Sequence, residues 1–235
     1  MESFALSDMG LKRNENQDRR LVKETPDGAV LLAIADGMGS SAGGGIAAQM
    51  IMDGLDAMPD HDLTAGGIME KLVQQTDQAI FCKASEDACF EDMGATLTAV
   101  VVRGSSAQWV HVGDSRLVLF ENGRLRYVTK DQNMAWFLYD EGEITAEEAR
   151  RHPGLRLLDQ CVGAGDCEPV TGALEFSPGA LFMLTTDGVH DHITPKALTA
   201  ILSGPESLEH KAQAILRRIR DDGSTDDATM VLAVI

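Results

Sequence analysis

Basic residues are scarce in this chain, and long apolar runs are missing. The 235 residues include 20 Lys and Arg against 37 Asp and Glu, for a net charge of -17. Such a charge repels a phosphate backbone, so we exclude nucleic acid as a partner. The apolar runs at residues 30–35, 97–102 and 180–184 are too short to cross a bilayer, and the acidic start does not resemble a signal peptide. We therefore expect a soluble cytoplasmic protein that makes no use of a membrane.

Cysteine is also rare. The four cysteines have no C-x-x-C spacing, so neither a zinc site nor a disulfide framework is indicated. No internal repeat, low-complexity tract or linker interrupts the sequence. With 44% hydrophobic residues the chain can bury a sizeable core. We expect a single domain over residues 1–235.

The hydrophobic pattern predicts an α+β protein with antiparallel sheets and helices packed on them. A turn at Pro26-Asp27-Gly28 joins strand-like runs at residues 20–23 and 30–35 into a hairpin. Helical spacing predicts helices at residues 46–58, 63–85, 195–202 and 207–220. Further strands are predicted at residues 95–103, 108–112, 116–121, 125–129, 170–176, 181–186 and 228–235.

Residues 131–164 change character between two strand blocks. They carry charged helical sequence, including Thr145 and Glu148 in the spacing of a capping box. We expect a surface excursion here. The glycine-rich residues 37–45 lack the lysine of a P-loop, which favours a close-packed helix start over a phosphate loop.

Aspartates recur where predicted strands meet turns. They are Asp18, Asp36, Asp114, Asp187, Asp191 and Asp227. Strand ends that are distant in sequence can converge, and convergent carboxylates repel one another unless cations lie between them. Such hard oxygen ligands suit Mg²⁺ or Mn²⁺ better than zinc or copper. The sequence therefore predicts a carboxylate-lined metal site.

A carboxylate site of this kind suits the hydrolysis of phosphate esters. Two cations about 3.5–4 Å apart acidify a bridging water into a nucleophile. Arg13, a few residues before Asp18, is placed to hold phosphate oxygens bidentately.

Eight short segments occur in one order along nearly the whole chain. They are SDMGLKRNENQD at 7–18, ADGMG at 35–39, MGATLT at 93–98, HVGDSR at 111–116, VTKD at 128–131, VG at 162–163, TTDGVHD at 185–191 and DDAT at 226–229. In this set and order the chain resembles the type 2C metal-dependent protein serine/threonine phosphatases, above all their compact bacterial members. One such segment alone would mean little.

The resemblance implies a four-layer α-β-β-α sandwich of two antiparallel sheets flanked by helices, with residues 131–164 as a flap beside the site. It implies hydrolysis of phosphoserine or phosphothreonine by a metal-activated water, without a phosphoenzyme. The implied partners are phosphorylated proteins, substrates of a serine/threonine kinase in a signalling pathway. The implied cofactors are two core Mn²⁺ or Mg²⁺ ions, with a third, weaker ion.

The same resemblance assigns roles to individual residues. Asp36 would bridge the core ions with help from the Gly37 carbonyl, and Asp187 and Asp227 would complete the shell. Asp18 would lie in the outer shell. The remaining candidates, by their roles, are Arg13 for the substrate phosphate, Asp114 with Asp187 for the third ion, Asp191 as an additional contact, and His152 as a flap residue that touches substrate.

Three departures from the family pattern keep alternatives open. Gln17 stands where many relatives have glutamate, and Met38 where some have a histidine proposed as general acid, so no general acid is named. Asp226 beside Asp227 leaves two neighbouring carboxylates for one ligand position, of which Asp227 is favoured. The alternatives are a weakly active phosphatase-like binding module and a hydrolase of small phosphate esters.

Overall fold

Two five-stranded antiparallel sheets form the centre of the protein. A computed structural model describes residues 1–39, 43–61, 63 and 67–235. The first sheet contains β1 (Glu2–Asp8), β8 (Arg116–Glu121), β9 (Arg124–Tyr127), β11 (Leu181–Thr185) and β12 (Ala228–Val234), in the order β1-β12-β11-β8-β9. The second contains β2 (Arg19–Glu24), β3 (Val30–Ala35), β6 (Leu97–Arg103), β7 (Ser106–Val112) and β10 (Val170–Glu175), in the order β10-β7-β6-β3-β2. A small separate pair joins β4 (Gly37–Met38) to β5 (Gly94–Ala95).

Helices cover both outer faces of the sheets. The second sheet is covered by α1 (Gly43–Asp56) and α2 (Ile68–Glu86), and the first by α5 (Asp187–His190), α6 (Pro195–Leu202) and α7 (Leu208–Asp221). Between β9 and β10 lie α3 (Met134–Asp140), α4 (Ala146–Ala149) and a 3₁₀ turn at Pro153–Arg156. None of the helices among these residues is long and apolar enough to cross a membrane.

The core consists of three apolar layers, which explains why the inner strands are apolar throughout. In β3 the side chains of Val30, Leu32 and Ile34 pack between the sheets, while those of Leu31, Ala33 and Ala35 pack against α1 and α2. Successive side chains of a strand point to opposite faces, so a strand covered on both faces must be apolar at every position. This arrangement confirms the predicted sandwich of two antiparallel sheets flanked by helices.

Several predicted elements are found with small changes of boundary. The β2–β3 hairpin forms in antiparallel register, and the capping box joins Thr145 to Glu148 at the start of α4. The predicted excursion at residues 131–164 is confirmed as the helical segment between β9 and β10. The predicted helix at 63–85 is described from Ile68 onward, and its residues 64–66 lie outside the described part of the chain.

The four strands predicted in a row do not share one sheet. The β6–β7 hairpin belongs to the second sheet, whereas β8 and β9 belong to the first. The chain changes sheet at Gly113, whose φ of 98° is readily adopted only by glycine. Asp114 therefore lies at the crossing between the two sheets.

The described part of the glycine-rich stretch is a close-packed helix start, as predicted. Gly37 and Gly44 lie backbone to backbone, and a Cβ on Gly44 would lie 2.6 Å from the Met38 nitrogen. Residues 40–42 of this stretch are outside the described residues. The contact brings α1 against β4, directly beside Asp36.

A Phe182→Ala variant tests how much the apolar layer between the two sheets contributes to stability. The Phe182 side chain is fully buried and packs edge-to-face on Phe176, with ring centroids 4.9 Å apart. We expect Phe182→Ala to lower the free energy of unfolding by about 3–5 kcal/mol, because a cavity is left that the sheets cannot close. Phe137→Ala, at a ring that is 43% exposed, is the matched control and should cost less than about 1 kcal/mol. Similar losses in urea denaturation for both variants would contradict this packing.

Candidate metal centre

The predicted aspartates lie at one end of the sandwich. Asp36 directly follows β3, and Asp18 directly precedes β2, its antiparallel neighbour. In the first sheet Asp227 directly precedes β12, and Asp187 follows β11, which is antiparallel to β12. Asp114 sits between β7 and β8 at the same end. Antiparallel pairing places the end of one strand beside the start of the next, which brings these five side chains together.

Asp227 is held by two backbone N–H groups from distant parts of the chain. The N–H of Gly10 donates to Oδ1 at 2.8 Å and that of Gln17 donates to Oδ2 at 2.9 Å. Its side chain is buried, with 5% exposure. Gly188 allows this approach, because any side chain there would overlap the Asp227 carbonyl oxygen. The missing side chain thus places Asp187 next to Asp227.

Asp226 has a different position from its neighbour. Its Oδ1 accepts a hydrogen bond from Nε of Arg13 at 2.7 Å and lies 2.6 Å from Nη2 of the same guanidinium, at a partly exposed position. Asp226 therefore holds Arg13 at the rim, while the Asp227 carboxylate lies inside.

Asp18 carries an orphaned oxygen. Its Oδ2 accepts a hydrogen bond from the Thr186 hydroxyl at 3.0 Å, but its buried Oδ1 has no hydrogen-bond partner. Burial, the largest cause, raises the pKa of Asp18 to about 7, with nearby Asp227 and Asp187 adding to the rise. A buried acceptor without a protein partner is uncommon, and this oxygen is one that a bound cation or its water could satisfy.

The ionised forms of other carboxyl groups in the cluster are also disfavoured by burial. Burial raises the pKa of Asp36 well above its usual range, with further rises from Asp18, Asp187 and Asp114. Burial also raises the pKa of Asp187, with nearby Asp226 and Asp191 adding to the rise and Asp36 lowering it. Burial likewise raises the pKa of Asp114 to about 7. The cluster therefore attracts either protons or cations.

The donor set fits a hard divalent cation. Within residues 1–39, 43–61, 63 and 67–235, no three carboxylate, imidazole or thiol groups already stand close enough to hold a metal ion. The oxygens nevertheless converge at one end of the sheets, they are desolvated, and one of them is unpartnered. Carboxylate oxygens without nitrogen or sulfur suit Mg²⁺ or Mn²⁺.

Comparison with known proteins identifies the family. The family model described as protein phosphatase 2C matches residues 12–229, which include five of the converging aspartates and Arg13. The chain belongs to the protein phosphatase 2C family. It is 36% identical over 232 residues to the serine/threonine protein phosphatase PstP of Mycobacterium tuberculosis, covering 97% of this chain and 44% of the relative. The chain therefore spans about half the length of that relative.

Two further comparisons cover nearly the whole of both chains. The serine/threonine phosphatase stp of Listeria welshimeri is 30% identical over 96% of this chain and 92% of its own length. A crystal structure of the catalytic domain of PstP in complex with two manganese ions superposes with a TM-score of 0.84, at 32% identity, over 99% of this chain and 97% of the other.

In this protein phosphatase 2C chain, two of the predicted site residues lie outside the group of five converging aspartates. Asp191, just after α5, has a side chain that is 54% exposed and covered on one side. This partial burial raises its pKa, although nearby Arg116 acts to lower it. His152 caps the 3₁₀ turn in the excursion, its Nδ1 accepting the N–H of Gly154 at 3.1 Å. The ring therefore has a structural contact, and its role toward substrate stays a prediction.

Two structural aspartates were not singled out by sequence reasoning. Asp131 forms a bidentate pair with Arg116, at 2.8 and 2.6 Å, which fixes the start of the excursion beside Asp114. Asp77 in α2 is 2% exposed and accepts the backbone N–H groups of Gly163 and Gly165, at 2.6 and 3.1 Å. A signal was available, because Asp77 lies on the apolar helix face of Val73, Ile80 and Ala84.

Asp18→Asn tests the buried repulsion. Folding raises the pKa of Asp18 from its usual value to about 7. Ionisation of this group therefore lowers the stability of the folded state progressively as the pH rises between those two values. In chelator at pH 8 we expect the variant to melt about 3–8 °C above wild type, and the gain to vanish near pH 4. Differential scanning calorimetry measures both.

Asp53→Asn, at an exposed position of α1, is the matched control and should change the melting temperature little at either pH. A wild-type protein that is as stable as the Asp18 variant at pH 8 would rule out the repulsion.

Proposed function

We propose that this protein is a metal-dependent protein serine/threonine phosphatase that hydrolyses phosphoserine and phosphothreonine. The convergence of Asp36, Asp187 and Asp227 at one end of the sandwich, with Arg13 at the rim, carries the proposal. The names of the relatives support it, since both are serine/threonine phosphatases. Phosphorylated proteins made by a serine/threonine kinase are the proposed substrates, and a cytoplasmic signalling pathway is the proposed setting.

The proposed ligands are the buried carboxylates. Asp36 and the Gly37 carbonyl would serve both core ions, Asp187 and Asp227 would complete the shell, and Asp18 would act from outside it. Asp114, with Asp187, would serve a third ion. Bound Mn²⁺ or Mg²⁺ supplies positive charge that offsets the carboxylates and the Lewis acidity that activates water. The PstP structure with two manganese ions supports this number of core ions.

Arg13 is proposed to orient the phosphate. Its guanidinium is held through Nε and Nη2 by Asp226, and its side chain is 47% exposed. Because Asp226 contacts the Nε and Nη2 edge of the guanidinium, the Nη1 hydrogens would be left for phosphate oxygens. Asp226 thereby limits the rotamers of Arg13 before substrate arrives.

The reaction consumes one water. A bond forms between the water oxygen and phosphorus, the bond from phosphorus to the Ser or Thr oxygen breaks, and a proton passes to that oxygen. Met38 cannot deliver this proton. Burial lowers the pKa of His111 to about 4 and that of His190 well below its usual value, so both rings are neutral at pH 7. We propose that the proton comes from water.

We propose that residues 131–164 act as a flap of a single domain. Arg116 and Asp131 fix the beginning of this segment, and the bridge between Ala95 and Val162 fixes its end. Both anchors lie beside site residues, so the segment between them is placed to contact a bound protein.

Asp187→Asn tests the metal site. We expect phosphate release from a phosphothreonine peptide in Mn²⁺ to fall about 100-fold or more, because a neutral amide neither offsets nor bridges divalent cations. Asp53→Asn is the matched control and should retain wild-type rates. Full activity of the Asp187 variant at saturating Mn²⁺ would contradict the assignment. Phosphate release from a nucleotide but from no phosphopeptide would instead favour a small-molecule hydrolase. Phosphate release from neither substrate would favour a binding module.

Arg13→Ala tests phosphate orientation. We expect KM for the phosphopeptide to rise about tenfold, with Arg13→Lys intermediate, because lysine keeps the charge and loses the planar fork. Arg217→Ala, at an exposed position of α7, is the control and should leave KM unchanged. Steady-state kinetics on the four proteins decide this, and an unchanged KM for Arg13→Ala would refute the role.

A further inference from the structure

A cavity of about 620 Å³ lies beside the candidate metal centre. It is open to solvent on one side and is lined by the end of α2, the 3₁₀ turn at Ala88–Phe90, the β4–β5 pair and residues 161–164. None of the proposed metal ligands lines it, and neither does Arg13. The mechanism above therefore leaves this space unused.

The cavity shares a wall with the site. Met38, which lines the cavity, is two residues beyond Asp36, or about 7 Å along an extended strand. The β4–β5 pair is held to Asp36 by the N–H of Thr96, which donates to the Asp36 carbonyl at 2.9 Å. A peptide whose phosphorylated residue lies at Asp36 would therefore place a neighbouring residue at the cavity.

The walls of the cavity are apolar. Met38, Met93, Phe81, Ala84 and Ala88 contribute to them. Phe81 is 45% exposed, so its ring is accessible from the cavity. An aliphatic chain would gain contact with these walls.

The rim of the cavity is acidic. Glu91 and Asp92 line it, and both side chains are exposed. Neither residue takes part in an ion pair within the described part of the chain. The neighbouring cation, Lys83, lies over the Phe90 ring at 6.0 Å from its centroid. Two carboxylates without a cationic partner above an apolar wall suit a cation on an aliphatic stem.

We propose that this cavity binds an arginine or lysine side chain one or two residues from the phosphorylated residue of the substrate. The inference rests on the proposed phosphatase function and names the substrate class more closely. Extended peptide advances about 3.3–3.6 Å per residue, so the neighbour or next neighbour of the phosphoresidue reaches the Met38 wall. The stem packs on the methionines while the charged head meets Glu91 and Asp92. An acidic neighbour would be repelled at the same rim.

Phosphothreonine peptides that differ at one flanking position test the proposal. Arginine, norleucine, alanine or glutamate is placed at each of the two positions on either side, and kcat/KM is measured in Mn²⁺. We expect an arginine peptide to exceed its alanine counterpart about three- to tenfold at one position, with glutamate lowest. Norleucine has the stem without the charge, and its equality with arginine would overturn the charged contact.

Variants of the residues that line the cavity test whether the preference for an arginine peptide arises there. Combined Glu91→Gln and Asp92→Asn should bring the arginine peptide to within about twofold of alanine, and Ala88→Phe should do the same by filling the cavity. Hydrolysis of p-nitrophenyl phosphate, which has no flanking residue, should stay at the wild-type rate in both variants. Glu209→Gln, an exposed change in α7, is the control and should keep the preference.

Binding gives a second readout that does not need turnover. Fluorescence anisotropy of non-hydrolysable phosphonate analogues of the same peptides with the Mn²⁺-loaded protein should show tighter binding of the arginine peptide, and the Glu91 and Asp92 changes should remove the difference. A preference that is absent from wild type, or unchanged in both cavity variants, overturns the inference. Failure to release phosphate from any peptide overturns the proposed function instead, and the anisotropy difference then supports or refutes the cavity on its own.

Discussion

The mutual repulsion of buried carboxylates is the constraint on which the rest of this structure depends. Asp18, Asp36 and Asp187 lie at one end of the sandwich, and burial together with their neighbours disfavours each anion. Packing of the surrounding framework holds these side chains at this end despite the repulsion. The three apolar layers fix the strands that carry them, and two backbone N–H groups hold the Asp227 carboxylate in place. Poor local stability is typical of sites prepared for ligands.

Close backbone contacts are what allow so many groups to share a small volume. Gly188 lies against the Asp227 carbonyl, and Gly37 lies against Gly44. A methyl group at either position would overlap the opposite backbone, and would push α5 away from Asp227 or α1 away from β4. The glycines near the candidate centre therefore serve packing, and the anion-binding function that glycine-rich loops have elsewhere is not needed to explain them.

Elements with a strong local signal could be predicted from the sequence. β8 and α6 have the predicted boundaries, because each combines a regular spacing of hydrophobic residues with residues at both ends that terminate the element. β1 was missed because Leu6 is its one buried residue and Ser and Asp interrupt the alternation. The strand predicted at 95–103 is split at Thr96, whose hydroxyl accepts the Asp36 N–H, a contact between distant residues that no local pattern shows. For the same reason Asp77, which has only tertiary partners, was not found, and the family motifs that contain Arg116 and Asp131 did not show that these two residues pair.

The position of β12 has a consequence for the order in which the protein is made. This strand follows the other four strands of its sheet in the sequence, yet it lies between β1 and β11, and Asp227 directly precedes it. While a ribosome still holds residues 228–234, β1 has no neighbour in its sheet and Gly10 and Gln17 have no carboxylate to bind. Pairing over such a separation is slow, and the second sheet with α1 and α2 can form earlier from nearby residues. A nascent chain that has not yet released β12 would thus carry most of the candidate carboxylates without the assembled centre.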